Sequence, residues 1–371
     1  IVKAIALVDG AATAIAVNND NIDAVKTIAY LEFAPSSTPL EIQVGLSPTG
    51  TEGAEKNLEA EAKDVSFDTA RAQANDAWHQ ELSRMMVSGG TEDQKEIFYT
   101  ALYHASIAPM IFQDVDGQYP AMRTRIQKDA GDTPNYSVYS MWDTFRAAHP
   151  LKTIIDKDRA IEHARDLLNK YQTGGVLPKW ELHSDYTGEM VGHPAVSVIA
   201  DIMVKHPEAF TAAEFDLALK AADETVNFNL DKTESWVPYQ DAWNGDKRFT
   251  VMTRHNDYQE DVGFIPANTK WAPDSGDKPG YVEGLKVDKY DELVNESVSY
   301  GLENAYYDWC IAQIAKLAGN DQQYDRYMAR SESFKNYFDY NPEQYGKLQD
   351  TKGNALGATG FMRPAYMNSG S

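Results

Sequence analysis

Residues 136–155 read YSVYSMWDTFRAAHPLKTII, and the interpretation of the whole chain turns on them. Trp142, Asp143, Phe145 and Arg146 crowd two aromatic rings, a carboxylate and a guanidinium into one short run, and an apolar helix-like tail follows. Such a set suits a polyhydroxylated ligand. An aromatic face stacks on sugar C–H groups, while a carboxylate and a guanidinium hydrogen-bond neighbouring hydroxyls. The simpler alternative is the start of an amphipathic helix carrying an Asp143–Arg146 pair at i,i+3. The spacing fits both, so the rest of the sequence has to choose.

A chain of 371 residues, 43% of them hydrophobic, can bury a proper core and has room for two domains or one large domain with an appendage. Its formal net charge of −22 argues against a nucleic-acid partner, because phosphate binding needs clustered Lys and Arg. The one cysteine, Cys310, excludes an internal disulfide framework and a cysteine-based zinc site. No apolar run approaches the roughly 18 residues of a membrane span. The opening IVKAIALVDGAATAIAVNN lacks a basic region followed by a cleavage site and reads as a strand pair turning at Asp9-Gly10. It has no initiator Met, and the final NSGS closes no element, so both ends read as cut.

Residues 1–47 predict about four strands, at 1–8, 13–17, 27–33 and 40–46, which is too little sheet for a core of its own. They read as the end of a larger β-sandwich. Residues 51–86 turn helical and Ala-rich, with Ser66 as a cap, and read as a linker. After Gly89-Gly90 a capping-box-like Thr91…Gln94 opens a helix to about Pro109. Further helices are expected at 142–155, 157–171, 195–205, 212–227, 292–318 and 322–338. Long helices joined by aromatic, Gly/Pro-rich loops suggest a helical barrel rather than a bundle, and no fixed-period repeat supports a solenoid. The fold class is therefore mixed, mainly α. Residues 228–290, rich in Trp and Tyr, read as an ordered excursion over one end of the helical body.

Two further clusters carry chemistry. In residues 174–201, GGVLPKWELHSDYTGEMVGHPAVSVIAD, the pair Trp180 and Glu181 follows a Pro-fixed loop and precedes a helix that Pro194 can open. It could face a sugar at the mouth of the helical body, or be a solvated acidic loop around a buried Trp. His183 and His193 lie nearby, but no HxxxH or HExxH spacing makes a metal site of them. In residues 295–316, NESVSYGLENAYYDWCIAQIAK, Glu303 and Asp308 sit on an otherwise apolar helix, where a carboxylate must be either paired or functional. Asp114, Asp116 and Gly117 in DVDGQY look like the start of a calcium loop, but position 125 is Arg where a bidentate Glu is needed, so a turn is expected.

Taken in order, GGTEDQKEIFYTALYHASIAPMIFQDVDGQY, YSVYSMWDTFRAAHPLKTII, GGVLPKWEL, VNESVSYGLENAYYDWCIAQIAK and GFMRP resemble glycoside hydrolase family 92, the calcium-dependent exo-acting α-mannosidases. The likeness runs from about residue 57 to residue 363. It implies strands of an N-terminal β-sandwich at 1–48, a helical linker at 49–88, and the first part of an (α/α)6 catalytic barrel at 89–371. It also implies inverting single displacement on a terminal α-mannoside, with calcium as the cofactor. The substrate is then a mannose-containing glycan, met by Trp142, Asp143, Arg146, Trp180, Glu181, Tyr186, Glu303 and Asp308. The family's acid and base lie in TEGNAWQY-like and GNDDxGQMSAW-like motifs. Neither string occurs here; both are expected beyond Arg363, with most of the calcium shell, so this stretch alone is expected to be inactive. Where many relatives read WELxGNET…MIGYH, this chain has Tyr186 in place of the Glu and His193-Pro194 in place of Tyr-His, which removes an anion and assigns no linkage. The resemblance further implies an exported bacterial enzyme, periplasmic, cell-surface or secreted, and a monomer. A non-catalytic carbohydrate-binding relative and another (α/α)6 glycosidase remain the alternatives.

Overall fold

In the computed structural model of the protein, the described residues are 3–8, 14–18, 28–32, 35, 37, 39–122, 127–187, 190–227 and 297–363. They are mainly helical and divide into two compact units. One comprises Ile1–Ser106, Ile111–Pro120 and Ile126–Asn135; the other comprises Ile107–Met110, Ala121–Arg125 and Tyr136–Ser371. The aromatic excursion expected at 228–290 lies outside the described residues.

The first unit holds the four expected strands, β1 (Lys3–Val8), β2 (Ala14–Asn18), β3 (Ile28–Glu32) and β4 (Ile42–Ser47). β1 pairs antiparallel with β4, Lys3 opposite Ser47, and β2 with β3, Ala14 opposite Glu32. Strand alternation sends Ile42, Val44 and Leu46 to one face of β4, where they are exposed, and Gly45 and Ser47 to the other, where they are buried. Helix α1 (Thr51–Glu61) lies on the Gly45 face. A Cβ at Gly45 would run into the Ala54 carbonyl and Leu58, so only glycine lets the helix come so close.

The buried Asp114 ties this unit together. It accepts hydrogen bonds from Asn57 Nδ2 at 2.8 Å, from Ser47 Oγ at 2.9 Å and from the Thr49 hydroxyl. DVDGQY forms the expected turn: Gly117, at φ +80°, donates its N–H to the Asp114 carbonyl at 2.9 Å. Helix α2 (Phe67–Leu82) is capped by Ser66 as expected and has no buried residue. Helix α3 (Glu92–Ile107) opens on the reciprocal Thr91–Gln94 bonds at 3.0 and 3.2 Å.

In the second unit the single helix expected at 142–155 is two, α4 (Met141–Thr144) and α5 (Ala148–Ile155). Pro150 is the reason. A continuous helix would require its amide to donate to the Arg146 carbonyl, and the ring would collide with that carbonyl, at a cost of about 3 kcal/mol. Placed in the first turn of α5, where amides have no helical acceptor anyway, proline costs almost nothing. Helix α6 (Lys157–Gly174) stops at Gly175, which sits at φ +86°. α7 (Pro194–Lys205) begins on its proline, and α8 (Ala212–Val226) on a Thr211–Glu214 capping box. α9 (Ser297–Leu317), α10 (Asp321–Ser331) and the short α11 (Pro342–Tyr345) follow among the described residues.

α9 is the central element and packs on α7, α8 and α10. Gly301, Ala305, Ala312 and Ala315 are all buried along it, small residues that admit close neighbours. Its Asp308, only 1% exposed, is held by Arg330 of α10 through two contacts, Nη2–Oδ1 at 3.0 Å and Nε–Oδ2 at 3.2 Å. A second polar group under the core is Asp166 of α6, which accepts from Tyr139 Oη at 2.7 Å, Lys170 Nζ at 3.2 Å and the Tyr136 amide at 3.3 Å. It anchors residues 136–139 to α6.

Beside it lie two buried imidazoles, His149 and His163, edge to face with centroids 5.7 Å apart. Burial, reinforced by the neighbouring Lys152, pulls His149 down to about 3; burial, with His149 and two nearby cations, holds His163 well below its usual value. Below pH 6.5 the unfolded chain takes up protons that the folded chain refuses, so this stabilisation is present at neutral pH and lost as the pH falls.

His163→Phe is expected to remove about 2 kcal/mol from the stability lost between pH 7 and pH 5, read from urea unfolding at both values. Asp308→Ala strands Arg330 in the core and is expected to cost about 3–5 kcal/mol in the same assay at pH 7.

Candidate functional site

Because the chain breaks after Thr144, Arg146 falls in a turn and not on a helix face. The intrahelical Asp143–Arg146 pair, the simpler alternative for this run, gives way to two separate partnerships. Asp143, exposed, accepts from Ser140 Oγ at 2.5 Å. Arg146 reaches α9 and pairs with Glu303, Nη2 to Oε1, at 2.8 Å. Its guanidinium lies 4.6 Å from the centroid of Phe145 and 5.1 Å from that of Trp142. Trp142 is half-buried, and its indole N–H is enclosed without a hydrogen-bond partner among the described residues.

The other oxygen of Glu303 is also engaged. Tyr307, one turn further along α9, donates its hydroxyl to Oε2 at 2.8 Å. The Tyr307 ring is fully buried, edge to face with Phe145 at 6.1 Å and with His193 at 6.5 Å. Burial and the adjacent Glu303 carboxylate push its phenol above the ordinary range, so it remains a donor. Glu303 in turn holds the Arg146 guanidinium more firmly protonated.

Magnitudes separate this pair from the other acid on α9. The side chain of Arg146 is 50% exposed and that of Glu303 15%, and an ion pair so open to water contributes about 0–1 kcal/mol. Ordering a long Arg side chain costs up to about 2 kcal/mol. The pair therefore does little for stability, whereas Asp308–Arg330, nearly enclosed, is a structural link. Asp308, expected against the substrate, is enclosed and paired with Arg330.

The loop after α6 also departs from expectation. Glu181–Leu182 and Asp185–Tyr186 form a two-stranded hairpin, with His183 and Ser184 both at positive φ (52° and 61°) in its turn. Neither residue favours that conformation, and side-chain bonds hold it. Glu181 accepts from the Ser184 amide at 2.5 Å and the Val138 amide at 3.0 Å, while the His183 amide donates to Ser137 Oγ at 2.7 Å. Glu181 and Tyr139 also exchange backbone bonds at 3.1 and 3.2 Å.

Glu181 is thus fully enclosed, and its carboxylate organises backbone rather than facing a mouth. Burial outweighs Lys170 and the donated bonds and pushes it up to about 7. The folded state holds that proton more tightly than the unfolded one, so this group's contribution falls as pH rises from about 4.5 to 7, opposite in sign to the histidines. Tyr186, in place of the acid expected from the resemblance, is buried as well. Trp180 is half-buried, and its carbonyl takes the Thr187 hydroxyl at 2.8 Å.

Of the expected site residues, the structure thus gathers Trp142, Arg146 and Glu303, with Asp143 on the same short helix as Trp142. It buries Glu181, Tyr186 and Asp308. Phe145 and Tyr307 belong to the group as well. Phe145 was visible in the WDTFR run; Tyr307 carried no signal, since its hydroxyl gains meaning only from the Glu one turn before it.

Calcium needs six to eight oxygen ligands. Among the described residues no group of three or more His, Cys, Asp or Glu could hold a metal ion. The Asp114 carboxylate is taken by three donors, and Asp116 pairs with Lys56 at 2.7 Å. These residues do not fit a calcium site.

Among solved structures the chain is similar to a GH92 α-mannosidase from Bacteroides thetaiotaomicron in complex with mannoimidazole, with TM-score 0.70 and 25% identity, over 95% of this chain and 42% of that one. It is also similar in fold to a GH92 inverting mannosidase from Bacteroides thetaiotaomicron VPI-5482, with TM-score 0.70 and 23% identity, over 95% of this chain and 43% of that one. The chain therefore spans about two-fifths of the length of these structures. No curated protein matches. The model of the glycosyl hydrolase family 92 catalytic domain matches residues 53–370, and the chain belongs to that family.

Proposed function

We propose that this chain forms the sugar-holding part of an exo-acting α-mannosidase, a glycoside hydrolase that removes terminal mannose from glycans by inverting single displacement. The observation that carries the reading is the Arg146–Glu303 pair, open to solvent and laid over Trp142 and Phe145. It combines aromatic faces for sugar C–H groups with charged groups for hydroxyls, in an arrangement that adds little to stability. Asp143 supplies a second carboxylate beside it. Family membership supports the reaction class, and a relative solved with mannoimidazole supports the sugar.

In this reading the proton-transferring acid and base are not in the sequence in hand, which lacks both family motifs. Calcium follows from the family resemblance alone. The same reading assigns residues 1–48 to a β-sandwich, 49–88 to a helical linker and 89–371 to the first part of an (α/α)6 barrel. The apolar outer face of β4 supports the first, since a second sheet would cover it. The absence of any buried residue on α2 supports the second. No described helix is long and apolar enough to cross a membrane, and export to the periplasm, cell surface or medium is proposed on resemblance only.

Asp143→Ala and Arg146→Ala are each expected to weaken binding of methyl α-mannoside at least tenfold by calorimetry. Their thermal midpoints should stay within a few degrees of the parent, because both side chains are exposed; unchanged affinity in both variants would overturn the reading. Residues 1–371, purified free of host glycosidases, are expected to release no product from an aryl α-mannoside. Measured turnover would place acid and base within this chain.

A further inference from the structure

Glu303 is a flexible side chain in a position that needs a fixed one. Its pair with Arg146 is partly open to water and does not immobilise it alone. The second oxygen is bound by Tyr307, and the Tyr307 ring is confined from several directions. Phe145 meets it edge to face from the turn that carries Arg146. Its neighbour Tyr306 packs at 5.6 Å, and His193 meets it from the loop before α7. From that same loop Gly192, at φ +70°, lies so close that a Cβ would overlap the ring. Packing on these sides defines where the ring lies, and its hydroxyl with it.

We infer that Tyr307 is a positioning residue: by fixing Glu303 it sets the Arg146 guanidinium in the orientation that receives the sugar. The inference rests on the reading that Arg146 contacts a mannoside. Arg146 is then steered from two directions that both lead to Tyr307, through the Glu303 carboxylate and through the Phe145 ring beneath the guanidinium. Gly192 has a matching role. Its lack of a side chain lets the loop before α7 close on Tyr307.

The test is Tyr307→Phe, which keeps the ring and deletes only the hydroxyl. Affinity for methyl α-mannoside is expected to fall about five- to tenfold, with a thermal midpoint within a few degrees of the parent. In an Arg146→Ala background the same change should have no further effect on affinity. The Arg146 side-chain NMR resonance, assigned by its loss in Arg146→Lys, should shift and broaden in sugar-free Tyr307→Phe. An unchanged affinity together with an unchanged resonance overturns the inference, and so does an equal loss of affinity in the Arg146→Ala background. If the parent chain binds no mannoside but the resonance moves, Tyr307 still positions Arg146, and it is the sugar assignment that fails.

Discussion

Pro150 has no amide hydrogen to offer the Arg146 carbonyl, and this deficiency shapes the site. It splits what would be one helix into α4 and α5 and leaves Phe145, Arg146 and Ala147 in a turn. On an unbroken helix Arg146 would lie one turn from Asp143 and the two would satisfy each other. In the turn the guanidinium lies over two aromatic rings and meets a carboxylate from α9. A ligand approaching this surface finds Asp143 and the Arg146–Glu303 pair as separate charged groups.

The turn is useful only if its flanks hold still. Upstream, Asp166 receives Tyr139, Lys170 and the Tyr136 amide, so the segment leading into α4 is tied to α6 at several points. Glu181 completes the tie by accepting from Val138 and clamping the hairpin turn at Ser184. Both carboxylates are buried and both accept several hydrogen bonds, the condition under which a buried acid is tolerated. On the far side α9 is fixed by Asp308–Arg330. The molecule thus uses enclosed acids for architecture, while Asp143 and the partly open Arg146–Glu303 pair stay in reach of solvent.

The two acids of α9 show why exposure, not residue type, divides these roles. Glu303 and Asp308 both belong to the motif that led to the family resemblance, and both pair with an arginine. Asp308 points into the packing between α9 and α10, where losing its partner would leave a bare charge. Glu303, nearer the start of the helix, pairs with an arginine that is half exposed. Burial of their surroundings separates an enclosed bond from one open to solvent.

Much of the fold was legible in the sequence because it is encoded by near neighbours. Ser66 and Thr91–Gln94 announced their helices, Pro194 opened α7, and β1 to β4 showed as alternating apolar runs, since caps and strand alternation depend on residues a few positions apart. The WDTFR run stood out for the same reason, since its rings and charges are adjacent in sequence. Tertiary structure alone decided that Arg146 would pair with a residue 157 positions away. It alone decided that Glu181, Tyr186 and Asp308 would face inward, and that an unremarked tyrosine would hold Glu303. Those outcomes depend on which helices meet and what they exclude from water. Sequence spacing carries the chemistry of a side chain, but its partner and its exposure are set by packing between segments far apart along the chain.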